Sequence, residues 1–256
     1  MQKINLIGFW TLYSKEINRF LKVYNQTLLA PMVTSLLFLA IFKLAMGDEV
    51  RVIGQVPFER FMAAGLIMMA VVQQAFANTS SSLIMSKVIG TMIDYLLPPL
   101  SAAEITIAMA LAGMTRGVVV GLIVGIAISF FIHIEIQHML FAVYYIIASA
   151  LMLALLGMIG GIISESFDQM AAITSYVITP LSFLSGTFYS VKQLPEFWYA
   201  VSRYNPFFYM IDGFRYAMTG SADGSIMTGV IVLAAINIVL AASVYWMLEK
   251  GYRIKS

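Results

Sequence analysis

Residues 180–216 read PLSFLSGTFYSVKQLPEFWYAVSRYNPFFYMIDGFRY, and the reading of this stretch decides the fold. It separates two long apolar runs. It holds three prolines (Pro180, Pro195 and Pro206), many aromatic residues and a cluster of charges. It is too apolar for an ordinary solvated loop, and too broken and too charged to cross a bilayer. The stretch is therefore expected to dip into, or lie along, the outer membrane face and to cap what lies beneath it.

The remaining composition fits a membrane setting. The chain has 256 residues, 61% hydrophobic and 11% charged, with a mean hydropathy of +0.88. Soluble domains average about 45–50% apolar and about 25% charged residues. Several apolar runs approach the ~20 residues that a spanning helix needs. The predicted class is an all-α integral membrane protein, organised as a single domain over residues 1–256. The net charge of +2 comes with no basic tract, so nothing points to nucleic acid. Cysteine is absent, which excludes disulfides, thiolate metal sites and a thiol nucleophile. The N-terminus lacks the pattern of a cleaved signal peptide.

From the N-terminus, residues 4–24 place Leu6, Phe9, Trp10, Tyr13, Ile17, Phe20, Leu21 and Tyr24 on one helical face. Gly8, Thr11, Lys15, Arg19 and Lys22 fall on the other. This predicts an amphipathic helix on the cytoplasmic membrane surface. Six spans are predicted, at about 27–46, 58–78, 117–132, 140–163, 171–188 and 226–248. Between the second and third lies TSSSLIMSKVIGTMIDYLLPPLSAAE, 79–104, expected to form a short surface helix with a proline stop. Arg116 would be costly mid-bilayer, so it is assigned to the cytoplasmic interface. Gly113, Gly117, Gly121 and Gly125 form a small-residue stripe that admits a neighbouring helix; packing within the chain is favoured over self-association. The turn HIEIQH, 133–138, matches no established metal-ligand spacing. With the N-terminus inside, Lys3, Lys15, Arg19, Lys22, Lys87, Arg116, Lys250, Arg253 and Lys255 are cytoplasmic. Only Arg51, Arg60, Lys192, Arg203 and Arg215 lie outside. The positive-inside bias thus predicts both termini in the cytoplasm.

The chain carries no phosphate-binding P-loop, no zinc-protease motif and no serine-hydrolase elbow. The predicted spans hold almost no ionisable residue of the kind that ion-coupled carriers use. No inverted repeat stands out. A transporter body without its own energy source points to an engine on another, cytoplasmic subunit.

The motifs SSSLI…GTMIDYLLPPLSAAEI (80–105), FLSGTFYSVKQLP (183–195) and NPFFYMIDGFRYAMTG (205–220), in this order, resemble the membrane subunits of ABC-2 type exporters. Polysaccharide, nodulation-factor and multidrug export permeases look most similar. The resemblance implies an N-terminal interface helix, six spans, a cytoplasmic coupling helix between spans two and three, and re-entrant outer helices before span six. It implies a homodimer in a bacterial inner membrane, served by two copies of a separate ATPase. No cofactor would be bound by this chain, and ATP with magnesium would sit on the partner. Relatives often carry an Arg-Glu pair before the Gly-Thr; here those positions read Ser86-Lys87-Val88-Ile89. Candidates for ATPase coupling are Lys87, Gly90, Thr91, Asp94, Tyr95, Ser101 and Glu104. Candidates for the outer gate are Gly186, Phe188, Tyr189, Pro195, Asn205, Pro206, Phe208, Asp212 and Arg215. Tyr204, Phe207 and Tyr209 lie along the same lid, and Asp212 and Arg215, three apart on a helix, can pair. No catalytic or metal-binding residue is assigned. The expected cargo is a drug, a lipid or a saccharide. The alternative is a channel or secondary carrier that works without an ATPase.

Overall fold

The computed structural model describes residues 5–46, 52–53, 56–92 and 99–253. Helix α1 spans Leu6–Lys22, and a π-helical turn over Asn25–Leu29 leads into α2, Ala30–Met46. A small antiparallel hairpin pairs Val52 with Pro57 and Ile53 with Val56. Helices α3 (Phe58–Ile89), α4 (Ala102–Ser129) and α5 (Met139–Ile163) follow. Next come α6 (Phe167–Ile173), a second π-turn (Thr174–Ile178) and α7 (Thr179–Leu184). A short 3-10 turn at Val191–Gln193 precedes α8 (Glu196–Tyr204), α9 (Pro206–Thr219) and α10 (Ile226–Glu249).

Among the described residues, five helices are long and apolar enough to cross a membrane. They are Asn25–Leu44, α3, α4, α5 and α10. The region expected as a fifth of six spans, 171–188, is the α6–π–α7 path; Thr174, Ser175, Thr179, Pro180 and Ser182 dilute its hydropathy. Helix α3 is the axle of the bundle: 78% of its most apolar window is buried, against 17% for the first and last spans. At 32 residues it is about 48 Å long, well beyond a hydrocarbon core of about 30 Å.

That length corrects one sequence expectation. Residues 79–89 do not begin a separate surface helix; they continue α3. The hydroxyls that read as a break are buried and bonded to nearby carbonyls. Ser80 donates to Phe76 O at 2.8 Å, Ser86 to Leu83 O at 2.8 Å, and Thr79 across to Ala154 O at 2.6 Å. The helix stops only at Gly90, whose φ of 82° closes a left-handed cap. Helix α4 starts at Ala102, so the span predicted at about 117–132 is the later part of a longer helix. A capping box fixes its first turn: Glu104 N–H donates to Ser101 Oγ, and the Glu104 carboxylate accepts from Ser101 N–H. Arg116 therefore lies in mid-helix and is buried.

The glycine stripe of α4 lets α3 approach. A Cβ on Gly117 would lie 2.9 Å from Ala75 Cβ and from Val71 O, and one on Gly121 would lie 2.4 Å from Val71 Cγ2. The stripe is thus used within the chain, as expected. Gly125 is looser, with 3.6 Å to Ile67 Cδ1. Helix α1 turns Leu12, Glu16 and Phe20 inward against α3 and α4, while Leu6, Ile7 and Trp10 point outward. Its buried face thus includes a carboxylate, which the amphipathic pattern did not show.

Candidate functional site

Three features share the same helices: a junction at the Lys87 end of α3, expected to be the inner end, a crevice along α3, and a cap at the opposite end, expected to be the outer one.

At the inner end, Lys87 in the last turn of α3 donates to Ile162 O and, at 3.1 Å, to Ser164 O. These carbonyls terminate α5, where a cation is favoured by the helix dipole. Arg253 donates to the intervening Ile163 O at 3.1 Å and lies 3.9 Å from Glu165. Lys87 thus ties the end of α3 to the end of α5. Gly90 and Thr91 are exposed. Asp94 and Tyr95 lie outside the described residues. At the far end of the same segment, Glu104 caps α4 and also accepts from the backbone N–H of Asn5 at 2.6 Å. Asn5 caps α1 through Gly8 N–H at 2.9 Å. Ser101 and Glu104 therefore couple the start of α4 to the start of α1.

The crevice opens on both sides of one stripe of α3. A cavity of about 390 Å³ lies between α3 and the α6–π–α7 path, with Gln73, Gln74, Ser80, Ser81, Thr174 and Thr179 among its lining. A second, of about 210 Å³, lies between α3 and the π-turn and α2, with Gln26, Thr34, Ser35, Gln73 and Gln74. Gln73 and Gln74 line both. Behind this stripe, Arg19 of α1 donates to Asn78 O at 2.6 Å and to Ser81 Oγ at 3.1 Å, and pairs with Glu16 at 3.1 Å. Glu16 is fully buried and accepts from Ser82 Oγ at 2.7 Å. Arg116 donates to Gln74 Oε1.

At the outer end, the motif residues form one network. Gly186 takes φ 77°, which favours glycine, and its carbonyl accepts from Arg215. The Arg215 guanidinium also lies 3.6 Å over the Phe61 ring. Asp212, 3.9 Å from Arg215, accepts from the N–H groups of Asp223 and Gly224, each at 2.8 Å. Asp223 in turn accepts from Ser190 Oγ at 2.8 Å and Val191 N–H at 2.9 Å. Asn205 caps α9 through Phe207 N–H at 3.0 Å, and its amide donates to Leu181 O and Ser185 Oγ. Pro206 occupies the first turn of α9, where no N–H is needed, and Pro195 begins α8. Burial pushes the Asp212 carboxyl up from its ordinary value, and burial lowers the Arg215 guanidinium to about 10.

The expected lid aromatics divide sharply. Phe207 and Phe208 are buried core residues, whereas Tyr204 is 90% exposed. Phe188 is half-buried in a stack with Phe42 and Phe183, at 5.4 and 5.8 Å between centroids, and Tyr189 and Tyr209 are half-buried. Helix α9 is wedged against α5, α10 and α3; His138 N–H bonds Ala217 O at 2.9 Å, and its ring stacks on Tyr216 at 4.7 Å. The reading of the sequence missed Glu16, Gln73, Gln74, Asn78 and Asp223. Paired glutamines inside an otherwise apolar run were the visible signal.

A sequence model of the ABC-2 type transporter family matches residues 7–219. The chain is 30% identical over 256 residues to the inner membrane transport permease YadH of Escherichia coli K12, covering 100% of both chains. It is 26% identical over 228 residues to nodulation protein J of Rhizobium leguminosarum bv. trifolii, covering 85% of this chain and 82% of that protein. A 95-residue stretch is 32% identical to nodulation protein J of R. leguminosarum bv. viciae. The interface helix, apolar bundle and outer motifs accord with these matches, and the chain belongs to the ABC-2 type transporter family, as a multi-pass inner-membrane permease subunit of an ABC transporter.

Proposed function

We propose that two copies of this chain face one another across the crevice of α3 and export a drug, lipid or saccharide-type cargo, driven by two copies of a cytoplasmic ATPase. The observation that carries this reading is the crevice itself. Two cavities flank the central helix, and amide and hydroxyl side chains, with Gln73 and Gln74 shared by both, stand among their largely apolar lining. Such polar lining inside a bilayer is costly unless it faces water, cargo or a second copy. In this reading the α6–π–α7 path is the fifth of six spans, both termini are cytoplasmic, and α8 and α9 are re-entrant on the outer face.

The segment that leaves α3 at Gly90 and returns at Ser101 is the proposed ATPase contact, with Gly90, Thr91, Asp94 and Tyr95 in it. Lys87 and Glu104 act as its two anchors. A push on the segment reaches α5 through Lys87 and reaches α1 through Glu104. The outer residues Gly186, Asn205, Asp212 and Arg215 hold a fixed cap, which leaves the exposed α8 as the part free to move.

The test is reconstitution. The permease, co-expressed with a candidate ATPase carrying a phosphate-binding loop, is expected to co-purify as a dimer bound to two ATPase copies. Transport in proteoliposomes should then require ATP. Cargo movement by the permease alone would overturn this reading and establish a channel or carrier instead.

A further inference from the structure

Arg116 is a buried charge without an opposite. It lies midway along α4 with 7% exposure. Its Nη2 donates to Gln74 Oε1, and its buried Nε has no hydrogen-bond partner. Among the described residues it makes no ion pair. Glu16, the buried carboxylate of the same inner layer, is already engaged by Arg19 and Ser82. Arg19 and Arg116 are close enough to act on one another electrostatically. Among the described residues, Arg19 and Arg116 thus stand against the single carboxylate of Glu16 in this layer. A buried charge without an ion-pair partner is costly, and a neutral amide only partly offsets that.

The unmatched charge is turned toward the crevice through one side chain. Gln74 lines both cavities. Its oxygen is committed to Arg116, so the polar group it has left is its NH₂, a donor. Neither cavity has an acidic residue in its lining. The field of the uncompensated Arg116 charge, in a low-dielectric wall with no acidic residue among the described lining residues, favours anions and repels cations.

We propose that Arg116, acting through Gln74, makes this crevice select cargo carrying an anionic group such as a phosphate, sulfate or carboxylate. Cationic amphiphiles are excluded by the same charge. This rests on the crevice being the cargo path, and the ATPase enters only as a separate measurement.

The experiment uses the full-length permease in phosphatidylcholine nanodiscs, with dodecyl phosphate, dodecyl maltoside and dodecyltrimethylammonium as probes sharing one tail. Wild type is expected to bind dodecyl phosphate at least about tenfold more tightly than dodecyltrimethylammonium, the scale of one charge-assisted contact. Arg116→Lys should keep the order and Arg116→Gln should erase it. Should Arg116→Gln fail to assemble, Gln74→Glu supplies the missing carboxylate without removing the arginine, and should erase the order too. Competition by inorganic phosphate would identify a free anion as the ligand. Loss of binding on adding phosphatidylglycerol would identify a lipid headgroup; both support an anion site. Equal binding of the charged probes by wild type overturns the proposal, as does an order unchanged in Gln74→Glu. A permease that binds anions but recruits no ATPase would sink the transporter reading while leaving the site intact.

Discussion

Gly65→Ala and Gly125→Ala are the same substitution in two helices, and the packing predicts opposite signs. Each exchange should gain roughly 0.8–1.0 kcal/mol of helix propensity, because glycine has the more flexible backbone. At Gly65 the new Cβ would lie 2.4 Å from Thr187 O, and 3.1 Å from both Thr187 C and Cα. These are backbone atoms of the FLSGTFY turn, which Arg215 grips at the neighbouring Gly186. An ordinary contact needs about 3.4 Å, so the turn must retreat by roughly 1 Å or α3 must shift. Overpacking of this kind costs about 1–3 kcal/mol. The net effect is a loss of up to about 2 kcal/mol, and more for Gly65→Val. At Gly125 the Cβ meets only Ile67 Cδ1 at 3.6 Å, so the propensity gain should survive nearly whole. Thermal unfolding of the purified permease, followed by tryptophan fluorescence, reads both. Gly65→Ala should melt below wild type and Gly125→Ala above it. If Gly65→Ala is as stabilising as Gly125→Ala, the outer turn is not held against α3, and the fixed cap is wrong.

Asn205→Ala should cost about 1–2 kcal/mol from the lost cap, plus the bonds to Leu181 and Ser185, while Asn205→Asp recovers only the cap part; chemical denaturation distinguishes the two. Lys87→Met should leave the dimer intact by size but reduce cargo-stimulated ATPase activity, and Lys87→Arg should retain it; equal activity in all three would show that the α3–α5 clamp carries no motion. Phe208→Ala, in the core, should lose about 3–5 kcal/mol, whereas Tyr204→Ala should leave the melting temperature unchanged. Because burial raises the Asp212 carboxyl, the folded chain takes up its proton before the unfolded chain does. Stability from this group is then fullest below the ordinary carboxylate range and falls as pH rises through the raised value. The melting-temperature difference between wild type and Asp212→Asn should shift in favour of wild type as pH falls from 7 toward 4; a shift the other way would mean that the hydrogen bonds and Arg215 outweigh burial.

The class, the N-terminal helix and the long apolar helices could be read from hydropathy and its periodicity, because long apolar runs leave a simple record. The outer motifs were legible as a unit for a different reason: prolines, Gly186 and Asn205 each satisfy a local backbone demand. Helix boundaries were not legible where polar side chains bond their own helix. Ser80 and Ser86 look like a loop in one dimension and are core residues in three. Arg116 was assigned to the interface on the cost of a mid-bilayer charge; its bond to Gln74, 42 residues away, leaves no local pattern in the sequence. The same distance hid Asp223, whose hydrogen bonds to Ser190 and Val191 cross 32 residues or more. The bonds from Lys87 to the end of α5 were equally hidden, because they cross 75 residues or more.

The two π-turns, Asn25–Leu29 and Thr174–Ile178, lie one on each wall of the crevice. A π-turn stores one residue more than an α-turn needs. Relaxing it to α would re-index every residue beyond it by about 100° and advance the helix by about 1.5 Å. No backbone hydrogen bond need be left open to lipid while this happens. Each wall thus carries one click of slack, and a channel walled by two such helices can change which side chains it shows without coming apart.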